Sequence, residues 1–332
     1  MEYVIFAHGD SDGVASAALI YRYLKYTGAS AKVVFSHPVG LISDLKEFAQ
    51  SSSHVFIVDI ALNEIHKEEV LSLLEKLSQR GRVVYIDHHP LLDPLPKGHG
   101  LEWVHDTCCS ASELTFRYLN RKGLPEEYSR VALYGAIGDY MDETDWIKET
   151  LWQWDKRSIY LEAGILTQGL EGTRKEYDFK RRVVEHLAEN KLPSAMSELV
   201  ERSIRQASED EKLRVWVREH VVKQGVIAYV LNPPGSVGRA ANYARVYGGA
   251  IVGLAAEDRG ATYVMSLRAV KDVDLNYLLR SLAKKMRVHG GGHPQAAGAR
   301  VDKAMFEDFL TTLSQMLRDQ ISLTQQVFPA RS

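Results

Sequence analysis

The sequence predicts an α/β protein: a parallel-sheet N-terminal domain, a helical connector, and a smaller α/β C-terminal domain with a mixed sheet. Three observations lead there. Short β-branched or aromatic runs alternate with segments of helical period through the first 90 residues. A long stretch after about Ser110 reads as almost all helical, and the alternation then resumes near Leu213. Strand–helix–strand repetition with short connections argues for βαβ units, hence a parallel sheet covered by helices.

In the first region, Tyr3–Ala7, Lys32–Phe35, Val55–Val58 and Val83–Ile86 read as strands. Val14–Tyr26, Leu41–Phe48 and Asn63–Leu77 lie between them with helical spacing of apolar residues. Glycine and proline at 123, 125, 169, 172 and 193 break the stretch from Ser110 to Glu211 into several helices. In the last region Gly225–Leu231, Ala250–Leu254 and Thr262–Leu267 read as strands, and Val237–Tyr247, Leu275–Arg287 and Lys303–Leu317 as helices. Asn232-Pro233-Pro234-Gly235 is a turn on composition. The domain boundary falls within 190–215, and there is neither an internal repeat nor a low-complexity tract.

Composition narrows the class. At 332 residues the chain has room for about two domains. Apolar residues make up 45% and charged residues 25%, which excludes long disorder and collagen-like repeats. No window approaches the roughly 18 uninterrupted apolar residues of a membrane span, and MEYVIFAHGD lacks the basic start of a signal peptide. The two cysteines, Cys108 and Cys109, are adjacent, form no disulfide framework and are expected in small buried packing. A cytoplasmic protein with no membrane partner is the expectation. The net charge of −2 conceals an asymmetry: residues 1–150 hold 14 basic and 22 acidic residues, a balance of −8, and the remainder carries +6. Such asymmetry can mark a nucleic-acid or phosphate surface.

The chemistry sits where the early strands end. His8-Gly9-Asp10-Ser11-Asp12-Gly13 follows the first strand, Asp59 the third, and Asp87-His88-His89 the fourth. Asp139 closes the apolar run Tyr134–Asp139. In a parallel sheet the carboxyl ends of the strands share one edge, where ligands bind, so these clusters should converge. Taken singly, an Asp at a strand end reads as a helix cap and a His-His pair as surface. Convergence of all four is what favours a site. Mixed Asp and His donors suit Mn2+, and Zn2+ or Fe2+ less specifically. So many carboxylates in one crevice repel unless cations neutralise them, and two cations sharing a carboxylate form a recurrent phosphoester-hydrolysis site.

In order and spacing, HGDSDG, the strand-terminal Asp59, the Asp-His-His triplet and Asp139 resemble the motifs of the DHH phosphoesterase family. Gly290-Gly291-Gly292-His293-Pro294-Gln295-Ala296-Ala297-Gly298 resembles the signature of the DHH-associated domain. The resemblance covers nearly the whole chain and implies a metal-binding phosphoesterase domain with its connector over residues 1–190 and a substrate-binding domain over 213–332. It implies two Mn2+ ions, with Mg2+ or Co2+ as substitutes. His8, Asp10 and Asp59 would hold one ion; Asp12, Asp59, His88 and Asp139 the other. His89 would meet the phosphate or leaving oxygen, and Asp87 would orient an imidazole. Substrate contacts are expected from Arg268 and from a loop at Gly291, Gly292 and His293, with Arg239 and Asn242 as weaker candidates. Ala269 and Val270 follow Arg268 where the family commonly has a small polar residue, so that side of the pocket can differ.

The activity so implied is a Mn2+-dependent exonuclease or oligoribonuclease. It would degrade short single-stranded RNA or DNA, 3′ to 5′, to nucleoside monophosphates. The alternatives are a pAp phosphatase, a linear or cyclic dinucleotide phosphodiesterase, and a scaffold that has lost its metal ligands; the last is disfavoured because every expected ligand is present. A monomer or homodimer, with DNA- or RNA-processing proteins as partners, is equally compatible with the sequence. Tyr243, Tyr247 and Tyr263 read as core residues rather than base-stacking ones, and His37, Asp142 and His289 as surface or packing residues.

Overall fold

The computed structural model describes residues 2–327 apart from 50–53, 64, 92–99, 174, 284 and 287. The chain divides into two compact units, Met1–Gln206 and Ala207–Ser332.

The first unit runs β1 (Glu2–Ala7), α1 (Ser11–Tyr26), β2 (Ser30–Phe35), α2 (Leu41–Phe48), β3 (His54–Val58), α3 (Lys67–Ser78), β4 (Val83–Asp87) and β5 (Leu101–His105). Helices α4 (Ala111–Asn120), α5 (Ser129–Gly138), α6 (Asp145–Leu151), α7 (Lys156–Leu170) and α8 (Tyr177–Ala188) follow. The five strands form a wholly parallel sheet in the order β2-β1-β3-β4-β5. Both faces are covered, as the near-continuous apolar strands require. Ile5, Val33, Phe56, Val84 and Ile86 pack with α1, α4 and α5. The alternate residues Val4, Phe6, Val34, Val55, Ile57, Val83 and Tyr85 pack with α2 and α3. The expected helix over Asn63–Leu77 forms only from Lys67, and its residue 64 lies outside the described residues. Strand β5 was not legible, because LEWVH carries Glu102 and His105 among its apolar residues. Cys109 is buried, as expected, but Cys108 is exposed.

Helix α9 (Ser197–His220) crosses the division between the units. Leu213, where the second alternation was expected to begin, therefore lies inside a helix. The cause is helical spacing: Leu213 and Val217, four apart, are buried together with Ala240, Ala241 and Ala244.

The second unit continues with β6 (Val222–Gln224), β7 (Ile227–Leu231), α10 (Val237–Tyr247), β8 (Val252–Asp258), β9 (Thr262–Ala269), α11 (Leu275–Ala283), β10 (Val288–Gly292), β11 (Ala296–Asp302) and α12 (Phe306–Val327). Its sheet, β10-β11-β9-β8-β7-β6, is mixed: β7 and β8 are parallel and the other pairs antiparallel. Helix α11 ends earlier than expected, and positions 284 and 287 of the expected span lie outside the described residues. Tyr243, Tyr247 and Tyr263 pack against the cores, as expected.

Helix α10 lies close on β8 because Gly253 has no side chain: a Cβ there would overlap the carbonyl oxygen of Ala241 and lie 2.5 Å from the amide of Arg245. Gly253→Ala is therefore expected to destabilise this unit by about 2–3 kcal/mol, since backbone rather than a side chain must move. A urea titration that left the midpoint unchanged would show that the contact is dispensable.

Candidate metal centre

The site is built at the switch point of the first sheet. From β1 the chain moves outward to β2 and then returns to β3 on the other side, so the carboxyl ends of β1 and β3 diverge to form a crevice. His8 follows β1, its amide donating to the carbonyl of Val58 at 3.3 Å. The chain then turns directly into α1, which Asp10 caps by accepting from the Gly13 amide at 3.0 Å. Gly13 is required by close approach, because a Cβ there would overlap the backbone of His8. The turn thus holds His8, Asp10 and Asp12 on one short segment.

Asp59 follows β3 in the left-handed conformation, φ 58°, while its amide donates to Ile86 at 3.0 Å. It is only 3% exposed. Its two oxygens face different imidazoles: Oδ1 lies 3.4 Å from Nε2 of His88, and Oδ2 lies 3.7 Å from Nδ1 of His8. Nδ1 of His8 also meets Oδ2 of Asp10 at 2.8 Å, and Nε2 of His88 lies 3.5 Å from Oδ2 of Asp139 at the end of α5. Donor atoms of His8, Asp10 and Asp59 come within 4.8 Å of one another, as do those of Asp12, His88 and Asp139. The structure thus brings together all six residues expected to bind metal, in two groups that Asp59 links.

Asp12 is held from behind. Its carboxylate accepts from the amides of Ala111 at 2.7 Å and Ser112 at 2.9 Å, at the N-terminus of α4, where helix amides favour an anion. Asp87 orients His89 rather than His88, through a 2.8 Å contact with Nδ1 and a 3.2 Å bond from the His89 amide. The His89 carbonyl is gripped in turn by Nε2 of His105, from the unforeseen strand β5. Sequence reasoning also missed Lys180 of α8, which is buried with Nζ 2.5 Å from where a Cβ of Gly9 would sit. Lys180 stands 171 positions from Gly9, in a helix of unremarkable composition, so no local signal marked it.

Electrostatics show what such crowding costs. Burial, and then repulsion from Asp10, Asp12, Asp139 and Asp87, pushes the Asp59 carboxyl well above its ordinary value. Burial also raises Asp12 and lowers His88. Desolvation would raise Asp10, but His8 and the Gly13 amide outweigh it and hold that carboxyl low. Asp10 raises His8 in return. For Asp87 and His89 the mutual attraction outweighs desolvation, so the carboxyl falls and the imidazole rises.

These residues fit divalent cations. Oδ2 of Asp59 is buried with no hydrogen-bond partner among the described residues. A buried carboxylate oxygen in that state is costly unless something else coordinates it. The hard-oxygen and imidazole donors are of the kind that hold such ions.

The residues expected to bind substrate are placed differently. Arg268 is the penultimate residue of β9, and one of its guanidinium nitrogens donates to the carbonyl of Leu267 at 2.9 Å. Arg239 is ion-paired with the nearly buried Asp210 of α9, which accounts for its position without a substrate. Asn242 is exposed on α10 and accepts from Arg245 at 3.1 Å. The glycine run is not a loop. Gly290, Gly291 and Gly292 belong to β10, paired antiparallel with Ala299, Gly298 and Ala297, and the Gly292 amide donates to Asn276 at 3.2 Å. His293 begins the turn into β11, its amide donating to Ala296 at 2.8 Å.

Family comparison decides the class. The family model for the DHH N-terminal domain matches residues 2–137, and that for the DHHA1 domain matches residues 223–319. The chain belongs to the DHH family. This DHH protein has a fold similar to that of RecJ from Thermus thermophilus solved with Mn2+, at 18% identity and TM-score 0.69, over 95% of this chain and 52% of that one. It thus spans about half the length of the Thermus protein, which has also been solved with Mg2+. A second similar fold is the pGpG-specific phosphodiesterase PggH of Vibrio cholerae, at 12% identity and TM-score 0.58, over 96% of this chain and 99% of that one. No curated protein matches in sequence. No helix among the described residues is long and apolar enough to cross a membrane.

Proposed function

We propose that this DHH protein is a Mn2+-dependent phosphodiesterase that removes nucleoside monophosphates from short single-stranded RNA or DNA, with 3′-to-5′ polarity. The observation that carries the reading is Asp59, whose two oxygens face His88 and His8 in a buried setting that lacks a hydrogen-bond donor for Oδ2. His8, Asp10 and Asp59 would hold one ion, and Asp12, Asp59, His88 and Asp139 the other. Bound there, such ions lower the pKa of water and offset charge on phosphoryl oxygens. Mg2+ or Co2+ could substitute.

The chain's own residues supply the rest. Asp87 holds Nδ1 of His89 at 2.8 Å, and in this reading Nε2 of His89 meets a substrate oxygen. Because Asp87 raises its pKa, His89 is suited to donate a proton to the leaving oxygen. The Ala111 and Ser112 amides hold Asp12 in place, so its geometry does not wait on substrate. We assign the metal-binding part to residues 1–190 and the grip on substrate to residues 213–332, with Arg268, Gly291, Gly292 and His293 as its candidates. Arg239 and Asn242 are weaker ones, given their protein partners.

A second reading, hydrolysis of pAp or of linear or cyclic dinucleotides, is favoured by the likeness to PggH over nearly the full length of both chains. A Mn2+ assay should compare pAp, pGpG, a cyclic dinucleotide, and RNA and DNA strands of about 12 nucleotides, within the span that single-strand binders typically cover. Shortening of the strands to mononucleotides is expected. Fast turnover of pAp or pGpG with intact strands would replace the first reading by the second.

A further inference from the structure

The end of α5 carries an anomaly that the metal centre does not explain. Beyond Gly138 the helix closes with Met141 donating to Ala136 at 2.9 Å and Tyr140 donating to Ile137 at 3.2 Å. That pair of bonds is the Schellman motif, whose left-handed position is usually glycine, sometimes asparagine. Here it is Tyr140, at φ 59°. The other non-glycine residues with positive φ among those described are Asp59, Asn190 and Asn232, all of types that tolerate it. A bulky aromatic residue in this conformation is an outlier.

Packing does not compensate, since Tyr140 is 89% exposed, so its ring buries almost nothing against its own protein. Neither backbone nor core thus accounts for tyrosine at this position. Its neighbour in the chain is Asp139, whose carboxylate lies 3.5 Å from His88. Consecutive Cα atoms are about 3.8 Å apart, so the ring is rooted one residue from the metal centre. A nucleotide whose phosphate lies on that centre carries its base within a comparable reach.

Resting on the reading of the site as a nucleotide phosphodiesterase, we propose that Tyr140 is a positioning residue: its ring stacks on the base of the nucleotide whose phosphate is being cleaved. Stacking on an aromatic ring is tolerant of base identity and suits a strand read without sequence preference. The strained backbone is then retained because glycine, although better for the helix end, has no ring.

The test is a pair of variants, Tyr140→Gly and Tyr140→Phe, assayed on a short oligonucleotide and on the same strand with an abasic terminal residue. Tyr140→Gly is expected to raise Tm by a few degrees, since it relieves the left-handed strain, and to raise KM about tenfold on the normal strand. Its kcat should change little, and on the abasic strand it should match the wild type. Tyr140→Phe should keep the wild-type KM. Equal KM for Tyr140→Gly and wild type, or the same loss on the abasic strand, overturns the stacking role while the activity stands. A wild type that cleaves no nucleotide substrate overturns the reading of the site, and this inference with it.

Discussion

Asp59→Ala is expected to abolish Mn2+-dependent phosphodiester cleavage, lowering kcat by about a thousandfold or more, a loss of the size seen when charge stabilisation at a reacting centre is removed. The argument rests on position. Asp59 is the residue common to both halves of the donor set: Oδ1 faces His88 and Oδ2 faces His8. Losing it therefore weakens both proposed ion sites, whereas losing Asp10 touches one. His88→Ala should follow closely, since His88 faces both Asp59 and Asp139 from a site only 2% exposed. Alanine at Asp59 keeps the left-handed backbone at a cost of roughly 1–2 kcal/mol, too little to unfold a domain with two buried sheet faces. Circular dichroism on the same preparations separates lost chemistry from lost fold. A near-wild-type rate in either variant would mean the metal assignment is wrong.

How far the sequence could see depended on whether a residue's role is set locally or across the fold. The parallel sheet was legible because β1, β3 and β4 are buried on both faces and read as unbroken apolar runs. The donor set was legible because most of its members follow strand ends, which a parallel sheet must gather, while Asp139 closes an apolar run that proved to be helix α5. Partnerships over long range were not. Nothing in GLEGTRKEYDFKRR announces that Lys180 will stand behind Gly9, and nothing in SVGRAANYAR reveals that Arg239 is committed to Asp210. The glycine run was expected as a loop and is a strand, for a different reason. Glycine signals backbone freedom, but in β10 the absent side chains serve close packing: a Cβ on Gly290 would lie 2.9 Å from the carbonyl oxygen of Gly298. Tyr140 was illegible because its oddity is a φ angle. The letters show only a tyrosine after an aspartate.

The same crowding that would bind metal should make the metal-free protein less stable than a variant that has lost its function. Asn replaces Asp59 with nearly the same shape and tolerates the left-handed backbone. It removes a buried carboxyl that desolvation and four neighbouring carboxylates push well above its ordinary value of 3.8. A carboxyl raised on folding contributes stability below its unfolded pKa, and that contribution is lost as pH rises through the folded one. In EDTA, Asp59→Asn should therefore melt several degrees above wild type near neutral pH, and the gap should close as pH falls toward 4. Mn2+ should reverse the order. A ligand at about a hundred times its Kd adds roughly 2.7 kcal/mol to the state that binds it, and only the wild type keeps both halves of the donor set. Melting curves across that pH range, with EDTA and with Mn2+, test both halves of the expectation. If the variant melts lower than wild type in EDTA at neutral pH, Oδ2 of Asp59 has a partner within the protein, and the buried carboxylate is structural rather than waiting for an ion.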